Sequence, residues 1–415
     1  MNRKVGIIFH ISSIPSKYGI GTFGKKAYEV VDILEKSDIK IWQILPLNQT
    51  SYGDSPYQSP SSNGLNIYFI DLDKLIEEKL LTKEEVESID FGSDPRRVDY
   101  AKQFSNRIPL LKKAFSRFKS NKEFEIFLER NLAAQDFSFF MTLKEINDGK
   151  PWYDWGVTYS SDLEEQTKSK YSDLYNFYMW TQFEFLNQYN ALKTYANAHG
   201  VQIMGDIPIY LAYDSVECFK HSELFEFDEN KKPINVAGCP PDCFSVDGQL
   251  WGNPLYNWEY HEKTNFEWWS NRINKALELY DLVRIDHFRG FSGYYSIPAQ
   301  DKTAKNGCWR KGPGMKLFKN KLNLPIIAED LGYIDEDFEQ LMKDCKYPGM
   351  KIVTQGTLAT NLDDTWRPRN YTENFFSYTS THDSETTMQY LINLDKQQKE
   401  TLKTVVESEC EYFGI

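Results

Sequence analysis

A chain of 415 residues with 41% hydrophobic content can bury a sizeable core, in one large domain or in two to three ordinary ones. Its net charge of −12 argues against a nucleic-acid partner, whose phosphates it would repel, and against anionic membrane surfaces. Aromatic residues reach 15%, and several fall in Gly/Pro-rich loops, where a flat apolar face with a polar tip suits stacking on a sugar ring.

The N-terminus, Met1-Asn2-Arg3-Lys4, leads into an apolar run too short for a signal peptide or a membrane span, so a cytoplasmic protein is expected. Candidate strands follow at Val5–Ile11, Lys40–Leu47, Gln202–Ile209, Tyr280–Asp286, Leu324–Asp330, Met350–Gly356 and Phe375–Thr381. Helical periodicity separates them: Lys25–Lys36 before the second, Leu174–His199 (stopped by Gly200) before the third, and Asp335–Cys345 before the sixth. Repeated strand–helix–strand units predict a parallel sheet with right-handed crossovers, and seven such strands favour a (β/α)8 TIM-type barrel over an open sheet.

The wide spacing between the second and third strands places an insertion at residues 49–172. It is a loop followed by a helical subdomain with helices over Lys83–Ser88, Arg97–Lys119 and Glu123–Ile146. A second insertion at residues 211–275, rich in Pro, Gly and Trp, reads as a structured loop over the barrel mouth. The whole of residues 1–415 is then one catalytic barrel domain with two interruptions. After Asp383 only the amphipathic stretch Lys396–Tyr412, ending at Gly414, remains. An eighth strand is therefore expected to be missing, leaving two strand edges unpaired.

Six cysteines show no disulfide framework spacing. Cys239-Pro-Pro-Asp-Cys243 has a C-x3-C form, but no second pair or His cluster completes a zinc site, and no metal is expected. His10, His287 and His382 lie at strand ends without the ligand spacing of a metal-dependent barrel enzyme.

Three carboxylates stand where apolar runs stop: Asp286 after Leu282–Ile285, Glu329 after Leu324–Ala328, and Asp383 after Phe375–His382. In a βα barrel such strand ends converge on the face where active sites form. One such aspartate could simply cap a helix; three in order suggest oriented carboxylates that stabilise developing positive charge. Arg284 precedes Asp286 by two residues, so both side chains share one face of the strand. The guanidinium there keeps the aspartate ionised and aimed, unless the pair is only a structural ion pair.

The words Gly19-Ile20-Gly21, Phe23-Gly24, Trp42-Gln43-Ile44-Leu45-Pro46-Leu47, Tyr52-Gly53-Asp54-Ser55-Pro56-Tyr57, Gly205-Asp206-Ile207-Pro208-Ile209, Pro240-Pro241-Asp242 and Trp251-Gly252-Asn253-Pro254-Leu255-Tyr256 occur in order. Arg-Ile-Asp-His-Phe-Arg-Gly, Ala-Glu-Asp-Leu-Gly and Thr-His-Asp follow them. Together these words resemble the amylomaltases, or 4-α-glucanotransferases, relatives of the α-amylases, over essentially the whole chain. Ser59-Pro60-Ser61-Ser62-Asn63-Gly64-Leu65-Asn66 departs from the family's usual Ser-x-Phe-Ala-Gly-Asn-Pro, and the family continues past the seventh strand.

The resemblance implies retaining transfer of α-1,4-glucan segments between maltooligosaccharides without a cofactor. Asp286 would be the nucleophile, Glu329 the acid/base, and Asp383 a third carboxylate that binds sugar hydroxyls. His382 would bind the sugar beside Asp383, and His287 would bind it or support the barrel. Asp206 would orient Arg284 or its neighbours, and Asp242 would contact substrate. A Glu329 protonated near neutral pH is the expected consequence of two neighbouring carboxylates. Tyr52 and Tyr57, with Phe244, Trp251, Tyr256 and Trp258, offer stacking surfaces that could exclude water; Tyr256 and Trp258 equally suit the role of holding the loop together. The alternatives are an α-glucan hydrolase, and an inactive glucan-binding fragment with an unclosed barrel.

Overall fold

The computed structural model describes residues 3–242 and 245–415, so Met1, Asn2, Cys243 and Phe244 lie outside the described residues. The chain forms two compact units: Met1–Val283 with Tyr294–Arg310, and Arg284–Gly293 with Lys311–Ile415. Among the described residues, no helix is long and apolar enough to cross a membrane.

In the first unit, β1 (Gly6–Ile8), β2 (Ile41–Gln43) and β3 (Gln202–Ile207) pair in parallel, with Ile7 opposite Trp42 and Trp42 opposite Ile203. β2 is buried along its whole length, as a strand covered on both faces should be. The helix Lys25–Lys36 joins β1 to β2 and buries Ala27, Val31 and Leu34, one stripe at helical spacing. The helix Ser172–Ala198 leads back into β3, and Gly200 follows it with φ 72°, the left-handed stop that the sequence indicates. Gly205 in β3 lies against the Tyr280 ring, where any Cβ would collide. The Tyr280 hydroxyl accepts from Leu47 N at 3.2 Å and so ties the end of β2 to this corner.

Two predicted helices are broken. Arg97–Lys119 is interrupted by a π-turn at Gln103–Arg107 between Tyr100–Lys102 and Ile108–Arg117. Glu123–Ile146 divides into Lys122–Arg130 and Leu132–Ile146 at Asn131, whose side chain accepts from Ala134 N at 3.0 Å. An Asn that caps a new helix competes with continuation of the old one.

The second insertion is not only loop. β4 (Asn235–Cys239) and β5 (Gln249–Pro254) form an antiparallel pair. After β6 (Leu282–Ile285), β7 (Gly293–Pro298) and β8 (Cys308–Lys311) extend it to a four-stranded sheet in the order β5-β4-β7-β8. β6 itself begins in the first unit, where Asp281 N donates to Ile203 O at 2.9 Å beside β3.

In the second unit, Glu329 N donates to Ile285 O at 3.1 Å, placing β9 (Ile326–Ala328) beside the end of β6. Ala328 N donates to Pro348 O at 2.9 Å, and β10 (Gly349–Ile352) pairs in parallel with β11 (Phe375–Tyr378). The seven predicted strands are thus present, each shorter than its apolar run; Val353–Gly356, read as strand, is helical. The last helix, Lys396–Phe413, opens with an Asp395/Gln398 capping box. Glu409 on this helix accepts from the Nε atoms of Arg367 (2.7 Å) and Arg369 (2.8 Å), a nearly water-free junction that fastens it to the segment 367–371. These parallel strands with intervening helices make a parallel-strand α/β core.

Candidate functional site

The end of β6, β9 and the segment after β11, all in the second unit, each deliver one carboxylate one to a few residues beyond the strand's end. Asp286 directly follows β6, and its Oδ1 lies 2.8 Å from Nη2 of Arg284, whose side chain is 2% exposed. The i, i+2 spacing on the strand therefore does bring the pair together. The same Nη2 lies 4.0 Å from Oδ2 of Asp383, so one buried guanidinium stands between two aspartates. Asp383 itself is largely exposed and free to meet a ligand. It does not cap the helix that follows: Thr386 caps Thr387–Asn393, accepting from Gln389 N at 3.2 Å. His382 Nε2 lies 3.2 Å from Asp383 Oδ1, and burial holds its imidazole below its ordinary value in spite of that carboxylate.

Glu329, the residue after β9, is buried, and two backbone amides fix its carboxyl. His287 N donates to Oε2 at 2.9 Å and Leu331 N to Oε1 at 2.6 Å. His287 can reach because its backbone is left-handed, φ 50° and ψ 49°, an uncommon conformation for a residue other than glycine. Burial, then the Asp286 charge, pushes the Glu329 carboxyl up to about 8, against the opposing pull of Arg284 and the two amides. The carboxyl is thus raised as expected, but desolvation outweighs the neighbouring charge. Burial also drives the His287 imidazole down to about 4, so it is neutral at physiological pH.

The sequence reading does not reveal the amides of His287 and Leu331. Gly332 (φ 94°) in the Ala-Glu-Asp-Leu-Gly word signals a tight turn there, though not where it points.

The other expected site residues lie in the first unit. Tyr57 donates its hydroxyl to Oδ2 of the fully buried Asp206 at 2.8 Å, which joins the loop after β2 to the end of β3. Gln58 Nε2 donates to Asn253 Oδ1 at 3.2 Å, and Trp251, on β5, packs its ring 6.2 Å from that of Tyr210. Tyr52 is fully exposed, and Asp242 is exposed, its Oδ1 accepting from Ser245 N at 2.7 Å. Tyr256 is buried, its hydroxyl donating to Ile209 O at 2.7 Å, among the rings of Phe225, Trp258, Trp268 and Trp269. Tyr256 and Trp258 therefore hold the insertion together.

A buried carboxyl that keeps its proton, close to an aspartate paired with arginine, can deliver a proton while its neighbour attacks carbon. The 4-alpha-glucanotransferase family profile matches residues 9–412. A 4-alpha-glucanotransferase of Clostridium butyricum is 45% identical over 98% of this chain and 84% of its own length. One from Streptococcus pneumoniae is 44% identical over 94% of this chain and 80% of its own. The structure of an amylomaltase from Streptococcus agalactiae in complex with acarbose superposes with a TM-score of 0.93 at 43% identity, covering 96% of this chain and 83% of that one. An amylomaltase from Corynebacterium glutamicum shares the fold at 18% identity, with a TM-score of 0.76 over 97% of this chain and 59% of that one.

Proposed function

The chain belongs to the 4-alpha-glucanotransferase family, and from that premise we propose how its residues carry out the transfer. The substrates are maltooligosaccharides and other α-1,4-glucans. An Asp286 carboxylate oxygen bonds to the anomeric carbon as the glycosidic C–O bond breaks, and the Glu329 proton passes to the departing oxygen. A hydroxyl of a second glucan then attacks the same carbon, returns its proton to Glu329 and releases Asp286, so configuration is retained. Arg284 holds Asp286 in place. Asp383 and His382 bind hydroxyls of the reacting sugar.

The observation that carries this reading is the Glu329 carboxyl, buried, raised to about 8 and held by two amides beside Asp286. A proton donor must hold its proton at working pH, and few surface carboxyls do. Tyr57 and Trp251 supply sugar-stacking faces from the 49–172 and 211–275 insertions, Tyr52 and Asp242 bind outlying sugar units, and Asp206 anchors Tyr57. No cofactor enters this chemistry. The reading sets the enzyme in the cytoplasm, which suits its free thiols at Cys218, Cys239, Cys308, Cys345 and Cys410.

Maltotriose tests the reading. Transfer yields glucose together with longer oligosaccharides while total reducing ends stay constant, because each bond cleaved is replaced by another. Reducing ends that climb in step with glucose mark a hydrolase instead. Binding of maltooligosaccharides without conversion marks an inactive glucan-binding protein.

A further inference from the structure

We propose that Arg289 is a positioning residue for the proton donor: it bolts the loop after β6 to the loop after β9 and thereby keeps the amides that aim Glu329 in place. The inference rests on the reading of Glu329 as acid/base and adds how that carboxyl is held.

The two amides on Glu329 come from different loops, His287 N from the loop after β6 and Leu331 N from its own. The first carries only the short 3-10 turn Phe288–Phe291, which contains Arg289, and the second has no helix or strand between Glu329 and Asp335. From Glu329 the chain runs through Leu331 and Gly332 to Asp335 before the helix Glu336–Cys345 begins. Arg289 fixes both. Its Nη1 donates to Gly293 O at 3.0 Å and closes its own loop. Its Nη2 donates to Asp335 Oδ2 at 2.6 Å, while Asp335 Oδ1 caps the helix by accepting from Phe338 N at 2.9 Å. The guanidinium also lies 5.0 Å from the centre of the Tyr333 ring, between the two ends of the loop it holds.

A guanidinium 4% exposed does this in a low-dielectric setting, where a charge-assisted bond is strong and its geometry narrow. Arginine alone offers the fork needed to reach a carbonyl, a carboxylate and a ring at once. Phe288, next to Arg289 in sequence, donates its N–H to Glu329 O at 3.1 Å, so displacement of the Arg289 segment is passed directly to the acid's own backbone.

The test separates positioning of a proton donor from general structural support. Turnover of maltotriose requires protonation of the leaving oxygen; release of fluoride from an α-maltosyl fluoride does not. First-turnover rates on both are measured for the intact chain, for Arg289→Met, for Asp335→Asn and, alongside, for Glu329→Gln. Asn caps a helix as well as Asp does, so Asp335→Asn keeps the helix start while weakening the ion pair, and it decides the matter should Arg289→Met fail to fold. Expected is a loss on the order of 100-fold in kcat on maltotriose for Arg289→Met, with KM little changed. A smaller loss is expected for Asp335→Asn, with fluoride release near the unmodified rate in both. Equal losses on the two donors, or no loss on maltotriose, would overturn the proposal while Glu329→Gln retains fluoride release. If Glu329→Gln itself loses fluoride release in step with maltotriose turnover, the acid assignment falls and this inference with it.

Discussion

Glutamine at position 329 removes a titrating group while keeping its shape, so Glu329→Gln measures how strongly burial holds the carboxyl neutral. In the folded chain that carboxyl sits at about 8 against an ordinary 4.5. Between those values the native state keeps a proton that the unfolded chain has released. The stability this confers is fully present below the unfolded value and is lost as pH rises through the folded one. At about 1.4 kcal/mol per unit, the whole interval corresponds to roughly 4–5 kcal/mol. Relaxation that lets water reach the ionised carboxylate reduces this to a net difference of about 2–4 kcal/mol. Glutamine has an opposing penalty at every pH: His287 N and Leu331 N each point at a carboxyl oxygen, and one must now face the amide NH2, at about 1–3 kcal/mol. The variant should therefore be the less stable protein at pH 5 and gain steadily on the unmodified one to pH 9. Urea unfolding followed by tryptophan fluorescence and circular dichroism at unit pH steps gives the difference directly, since other titrating groups largely cancel. A difference that stays level from pH 5 to pH 9, or that moves against the variant, refutes the claim that burial raises this group.

Asp286→Asn keeps size and hydrogen bonding but removes the attacking charge, so maltotriose transfer should fall by several orders of magnitude; a tenth of the rate remaining in purified protein would be incompatible with the assigned role. Trp251→Ala should weaken maltooligosaccharide binding by about 1 kcal/mol and raise hydrolysis relative to transfer, read as reducing ends released per glucose formed; an unchanged ratio would remove Trp251 from the acceptor side. Glu409→Leu leaves Arg367 and Arg369 without their carboxylate, and should destabilise the second unit by about 3–5 kcal/mol in denaturant unfolding, with the last helix losing protection from hydrogen exchange first. Unfolding within 1 kcal/mol of the parent would show the junction to be solvated.

How much of this is legible in the sequence depends on where the determining partners lie. Strands such as Ile41–Gln43 and Ile326–Ala328 are buried along their length, and an apolar run announces that burial with no knowledge of neighbours. Gln249–Pro254 shows no alternation and contains Gly252 and Pro254; it is a strand because Asn235–Cys239 pairs with it, and that partner is set by the fold. The Arg284–Asp286 contact is likewise legible, since strand period alone places both on one face. The rise in the Glu329 carboxyl is legible in direction only. Sequence points to neighbouring carboxylates, whereas burial acts first, and burial belongs to the packed state. The amides that aim Glu329 are invisible in advance because they belong to main chain, and nothing in the name His287 signals a left-handed backbone.

The pairing of β6 with β9 also bears on the stereochemical outcome. Retention needs the two carboxyl groups about 5–5.5 Å apart, and inversion needs about 6.5–9.5 Å, room for a water between carboxylate and sugar. Neighbouring strands lie about 4.8 Å apart. Glu329 N donates to Ile285 O, the same offset by which Ile41 N donates to Val5 O where Ile41 pairs with Gly6, so Glu329 stands opposite Asp286 on the adjoining strand. Two carboxylates opposite each other on adjacent strand ends fall naturally into the shorter range; the longer one would call for strands that are not neighbours, or for loops reaching in from a distance. The strand register, fixed by backbone hydrogen bonds rather than by the side chains that do the chemistry, thus favours retention before any sugar is bound.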